Sequence, residues 1–197
     1  METFRELFTR LVFPLGRLLA VLRISPNAVS LSGIVFGIVS AYCYVSHQFF
    51  WAVCFFVASG LSDLVDGTVA KLRGIGSSFG AYFDNFCGGY TDGAVFCGLI
   101  GAGLCSPGWG ALAIVGTLMR MLTFRLPAII APKEGEAPYT RFPYALGGKA
   151  DRIIIIGLGT MLGRIPAAVI VVAVLTNGIA VARTVYCHQL AKRSVVP

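Results

Sequence analysis

Charge is what this chain has least of. Only 13% of its 197 residues are charged, about half the roughly 25% of an ordinary soluble domain. Meanwhile 56% are apolar and the mean hydropathy is +0.80. A surface that poor in charge excludes a soluble globular domain and leaves a chain whose solvent is mostly lipid. Paired cysteines are also missing. Cys43, Cys54, Cys87, Cys97, Cys105 and Cys187 lie scattered in apolar runs with no CxxC and no histidine at ligand spacing. They read as small buried residues, which excludes a disulfide framework and a zinc site. The N-terminus lacks a clean apolar core behind a charged head, because Arg5, Arg10, Arg17 and Arg23 are spread through it, so a cleavable signal peptide is not expected. No repeat and no basic-aromatic platform is present, and nucleic acid is not an expected partner.

Long apolar runs are abundant. Hydropathy and breaker residues predict an all-α polytopic membrane protein with six transmembrane helices near 27–46, 49–72, 77–104, 108–131, 149–164 and 167–189, each meeting the length needed for a core about 30 Å thick. Residues 3–23 differ. Phe4, Leu7, Phe8, Leu11, Leu15, Leu18, Leu19 and Leu22 recur at helical spacing while Arg5, Arg10 and Arg17 fall largely elsewhere. This predicts an amphipathic helix lying in the membrane interface, kinked at Pro14, with its arginines on anionic headgroups. The expected organisation is a juxtamembrane helix over 1–24 and a six-helix transmembrane domain over 25–197. Fourteen of the 16 basic residues fall on one side if the N-terminus is cytoplasmic, and the three opposite loops hold only Arg164. The positive-inside rule then puts both termini in the cytoplasm of a cell-membrane protein.

Acidic residues stand where lipid disfavours them. Of the nine in the chain, Asp63, Asp66, Asp84 and Asp92 fall inside the second and third expected spans, where each costs roughly 2.5–3.5 kcal/mol on insertion scales. Pairing with Lys71, Arg73, Arg120 or Arg125 would be a purely structural explanation, but those cations serve an anionic ligand equally well. Asp63 and Asp66 share one helix face, continued by Gly67 and Ala70, and Gly80 precedes Asp84 in the same small-then-acidic order. Clustered carboxylates suit a hard divalent cation, Mg²⁺ or Mn²⁺, which takes its remaining ligands from water or phosphate oxygens. A metal-bridged diphosphate is the matching guest.

Asp63-x2-Asp66-Gly67-x2-Ala70-Lys71-x8-Gly80-x3-Asp84 resembles the signature of the CDP-alcohol phosphotransferases, D-x2-D-G-x2-A-R-x8-G-x3-D-x3-D. The interfacial helix, Pro26-Asn27 opening the first span and six spans extend the likeness over the whole chain. The resemblance implies an enzyme that displaces CMP from a CDP-linked lipid, CDP-diacylglycerol or its ether analogue, with an alcohol acceptor and a divalent metal, in phospholipid biosynthesis, and acting as a homodimer. It implies that Asp63, Asp66 and Asp84 ligate metal, and that nucleotide and diphosphate lie against Asp63, Asp66, Gly67, Ala70, Lys71 and Gly80. Two positions depart. Lys71 stands where the family has Arg, keeping charge without the bidentate fork. Gly88 stands where the last aspartate, the family's general base, belongs. Asp92 is the replacement candidate, one turn further along, about 6 Å away at 1.5 Å per residue.

Arg120, Arg125, Lys149, Arg152 and Arg183 gather at the cytoplasmic ends of the last three spans, where they would receive an anionic acceptor such as a polyol phosphate. Gly147–Ile156 is similar to the fifth span of archaeal enzymes that make inositol-phosphate lipids. Charges that merely snorkel to headgroups are the alternative for part of this set. Three functions therefore stand side by side: a phosphatidyl-type transferase acting on a polyol or polyol phosphate; a CDP-lipid-binding subunit without turnover, favoured by Gly88; and a small transporter with an aspartate relay, which leaves the Gly/Ala spacing unexplained.

Overall fold

In the computed structural model, residues 13–130 and 147–194 are described, with the side chains of 125–130, 190, 193 and 194 left aside. Every described element is helical: α1 (13–21), α2 (Pro26–Val45), α3 (Phe49–Leu72), α4 (Ser78–Gly101), α5 (Pro107–Ile130), α6 (Lys149–Met161) and α7 (Ile165–Ser194). The first half of the expected interfacial helix lies outside the described residues.

Polar side chains and αL residues set the helix ends. Ser25 caps α2, accepting from the Ala28 N–H at 3.3 Å, with Pro26 in the first turn. Ser77 Oγ accepts from the Gly80 N–H at 3.0 Å to open α4, and Asp151 Oδ2 accepts from the Gly148 N–H at 2.9 Å to open α6. Such caps satisfy N–H groups that a helix cannot satisfy itself. At the other end, α3 closes through Gly74 N–H on Lys71 O and Ile75 N–H on Ala70 O, with Gly74 at φ +63°. This paired pattern ends helices in an αL residue.

The chain divides into two compact units, 1–95 and 96–197. In the first, α2 and α3 pack along one another in an antiparallel register that the small residues of α2 make close. Gly33 stands against Ser59, Ser62 and Asp63, Ser40 Oγ donates to Ala52 O at 2.7 Å, and a Cβ on Gly37 would fall 2.7 Å from Thr91 Cγ2 of α4. Thr91 Oγ1 donates to Gly33 O at 3.2 Å. α1 lies on the buried side of α3, where Leu19, Ala20 and Ile24 pack on Val65 and Val69, and Arg73 Nη1 donates to Arg23 O and Ile24 O at 3.3 and 3.0 Å. The outer face of α4 carries a run of rings, Phe79, Phe83, Phe86 and Tyr90, with successive centroids 5.9, 6.3 and 4.7 Å apart.

In the second unit α7 packs along α5 and receives α6. Its interior holds Ala113, Ile156, Val169, Val172 and Ala173, with Asn177 Nδ2 donating to Leu112 O across the α5–α7 contact at 2.9 Å. Among the described residues α2, α3 and α7 are long and apolar enough to cross a membrane. α6 differs from its expected span over 149–164. It has 13 residues and stops at a turn in which Gly163 takes φ +65°, because Arg164 N–H returns to Gly159 O at 2.7 Å.

Candidate active site

The signature carboxylates sit on α3 and α4 with α2 as their backing. Asp66 is 5% exposed and accepts a hydrogen bond from Ser30 Oγ. Ser30 is itself buried in the first turns of α2, with Pro26 O 3.2 Å from the same hydroxyl. Asp63, one turn earlier on α3, brings Oδ1 to 3.6 Å from where a Cβ on Gly33 would stand. The pairs Ser30–Asp66 and Gly33–Asp63 thus follow one antiparallel register. Asp63 and Asp84 both lie within electrostatic reach of Asp66, which brings Asp84 near a carboxylate 18 residues earlier, across the α3–α4 turn.

A Cβ on Gly67 would meet nothing within 4 Å, whereas one on Gly80 would stand 3.3 Å from Ser77 Oγ, the hydroxyl that caps α4, and 3.9 Å from Asn27 Oδ1. Lys71 is exposed at the end of α3 and Ala70 half-buried beside it. Asp92 is 1% exposed, next to Thr91 in the α2–α4 contact, so it lies deeper in the helix packing than Asp84. Gly88 is buried between them.

The donor chemistry fits a divalent cation: hard carboxylate oxygens on two facing helices, one of them oriented by a buried hydroxyl. Among the described residues no three acidic, His or Cys side chains converge into a ready cage. That suits a cation which takes its remaining ligands from diphosphate and water.

The second unit brings two of the expected cations, Arg120 and Arg152, to one glycine, with a third, Arg183, on the Arg120 backbone. Arg152 Nη1 donates to Gly147 O at 2.7 Å. Arg120 Nε lies 3.3 Å from where a Cβ on Gly147 would be. Arg183 Nη1 donates to Arg120 O at 3.2 Å, with its guanidinium 5.2 Å over the Phe124 ring. Arg152 and Arg183 are each 1% exposed. Lys149 is half-buried at the start of α6. Gly147 holds φ +73°, and this αL residue lets the Arg120 side chain press against the backbone. The Arg125 side chain lies outside the described residues. Sequence spacing singled out the basic residues, while Gly147 entered only as the first residue of the 147–156 stretch that resembles the archaeal fifth span.

One unit thus buries carboxylates and the other guanidinium groups, on an all-helical chain with spans long and apolar enough for a membrane. Comparison with known proteins makes the class specific. The profile of the CDP-alcohol phosphatidyltransferases matches residues 23–176, and the chain belongs to that enzyme family. It is 30% identical over 159 residues to the phosphatidylinositol phosphate synthase of Mycobacteroides abscessus, covering 80% of this chain and 71% of the relative. It is 25% identical to the archaetidylinositol phosphate synthase of Methanothermobacter thermautotrophicus over 98% of this chain and 96% of the relative. The phosphatidylinositol phosphate synthase of Mycobacterium tuberculosis has a similar fold. With CDP-DAG bound it aligns at a TM-score of 0.54 and 25% identity, covering 93% of this chain and 92% of that one. With manganese and citrate it aligns at 0.54 and 26%, covering 92% and 87%. The protein is a membrane transferase of phospholipid biosynthesis.

Proposed function

We propose that this protein transfers the phosphatidyl-type group of a CDP-linked lipid, ester or ether, to inositol phosphate and releases CMP. The basic cluster about Gly147 carries this reading. Burying two guanidinium groups is costly, and Arg120 and Arg152 at the Gly147 turn, with Arg183 on the Arg120 backbone, are the kind of charged donors a phosphorylated polyol takes. The names of the relatives, with CDP-DAG in one solved neighbour, support the donor and acceptor. The chain would cross the membrane six times with both termini cytoplasmic, as a homodimer, its 1–24 helix on the surface.

Asp63, Asp66 and Asp84 would hold Mg²⁺ or Mn²⁺, which when bound neutralises the diphosphate and polarises the phosphorus under attack. Gly67, Ala70 and Gly80 leave room for cytidine and diphosphate, and Lys71 adds a point charge to the phosphates. Arg120, Arg152 and Arg183, with Lys149 and Arg125, would hold the acceptor phosphate. The acceptor hydroxyl oxygen bonds to the lipid-side phosphorus, the bond from that phosphorus to CMP breaks, and the hydroxyl proton passes to a base. Asp92 is the candidate base. Gly88 favours a second reading, a subunit that binds CDP-lipid without turnover.

Purified protein in detergent is expected to release CMP from CDP-diacylglycerol or its ether analogue only with Mn²⁺ or Mg²⁺ and inositol phosphate present. Asp66→Asn should abolish metal-dependent CDP binding. Asp92→Asn should stop release and leave nucleotide affinity nearly intact. Tight CDP-lipid binding with no release under any acceptor would establish the second reading instead.

A further inference from the structure

We infer that Ser30 is a positioning residue for the cation site: its hydroxyl fixes Asp66 by holding Oδ2, so that the other carboxylate oxygen is presented to the metal. The inference rests on the reading of Asp66 as a cation ligand.

The buried serines of the first unit show why Ser30 is set apart. Buried Ser40, Ser59 and Ser62 and half-buried Ser32 donate to the backbone carbonyls of Ala52, Phe56, Ala58 and Val29, the ordinary use of a hydroxyl inside a membrane helix. The Ser32 and Ser62 hydroxyls also lie 3.4 Å apart, whereas Ser30 reaches a carboxylate. Ser30 has such a carbonyl within range, Pro26 O at 3.2 Å, yet its Oγ lies nearer to Asp66 Oδ2. One proton serves two acceptors, and the carboxylate oxygen is the nearer of them. Ser30 is 2% exposed and Asp66 5%, so water does not compete for the bond.

The consequence is geometric. An aspartate with both oxygens unfettered rotates about its last torsion, and Asp66 also stands near two carboxylates that repel it. Anchoring Oδ2 on α2 removes that rotation before the cation arrives and ties the start of α2, with Asn27 beside Gly80, to the ligand on α3. Partners of metal ligands are typically worth 10–100-fold in metal affinity.

The test is Mn²⁺ binding to the purified protein, read from the free-ion electron paramagnetic resonance signal without substrate, beside thermal melting of the metal-free protein. Ser30→Ala is expected to weaken Mn²⁺ binding about 10–100-fold, and Ser30→Thr, which keeps the hydroxyl, to restore it. Ser40→Ala removes a comparable α2–α3 hydrogen bond away from the carboxylates and should lower the melting temperature without changing Mn²⁺ affinity. Equal Mn²⁺ affinity in Ser30→Ala and Ser40→Ala, with Asp66→Asn binding no Mn²⁺, would overturn the role of Ser30 alone. Undiminished Mn²⁺ binding by Asp66→Asn would overturn the cation reading beneath it. Should Ser30→Ala fail to fold, Ser30→Cys supplies the comparison, its weaker donor giving an intermediate affinity if the role is right and wild-type affinity if it is not.

Discussion

A methyl group added at Gly67 would meet no protein atom within 4 Å, and in a helix interior Ala is favoured over Gly by roughly 0.5–1 kcal/mol. On packing and propensity alone, Gly67→Ala should therefore leave melting unchanged or raise it. If the open space beside Gly67 belongs to the nucleotide, the same substitution raises the KM for CDP-lipid on the order of tenfold, about 1.4 kcal/mol of lost binding. A variant that is no less stable yet binds its donor less well separates the two demands on this residue. Steady-state kinetics beside a melting curve measures both. Gly147 is the opposite case. Its φ of +73° and the 3.3 Å approach of Arg120 tie a backbone requirement to the cationic site.

The helices show which relations a sequence carries. Asp63, Asp66 and Asp84 were legible because they lie on two consecutive helices joined by a short turn, so a linear motif contains their spacing. Ser30 was not, since 36 residues separate it from Asp66 and no local pattern links them. The Gly33-x3-Gly37 spacing on α2 announces a close helix contact, but it does not say that Thr91 of α4 answers it. Gly37 is where that contact has no slack. A Cβ there would lie 2.7 Å from Thr91 Cγ2 and 3.0 Å from Thr91 Cα, so backbone as well as side chain must yield. Gly37→Ala is expected to destabilise the protein by about 1–3 kcal/mol, the usual cost of overpacking, whereas Gly33→Ala, with its nearest neighbours at 3.5 Å, should be far milder. Unfolding of the two variants in one detergent measures the difference. α6 was misjudged in length because the apolar run continues past Met161, while the turn at Gly163 is fixed by hydrogen bonds that hydropathy does not register.

Across the molecule, a net charge of +7 is distributed by topology, with Arg164 alone on the far side of the proposed arrangement. A phosphatase reporter, active only outside the cytoplasm, should work when fused after Gly103 or Gly163 and be silent after Lys192. Activity after Lys192 would invert the orientation. The brevity of α6 then acquires meaning. Thirteen residues span about 20 Å at 1.5 Å each, against a hydrocarbon core of about 30 Å, so roughly 10 Å is left to be met by a thinned bilayer or by polar groups. One end of α6 bears Lys149 and Arg152, beside Gly147, and the other runs into exposed Arg164. In the proposed reaction a water-soluble sugar phosphate must meet a donor dissolved in lipid, and a helix shorter than the hydrocarbon core would carry the water's edge down toward the acceptor's side of that meeting.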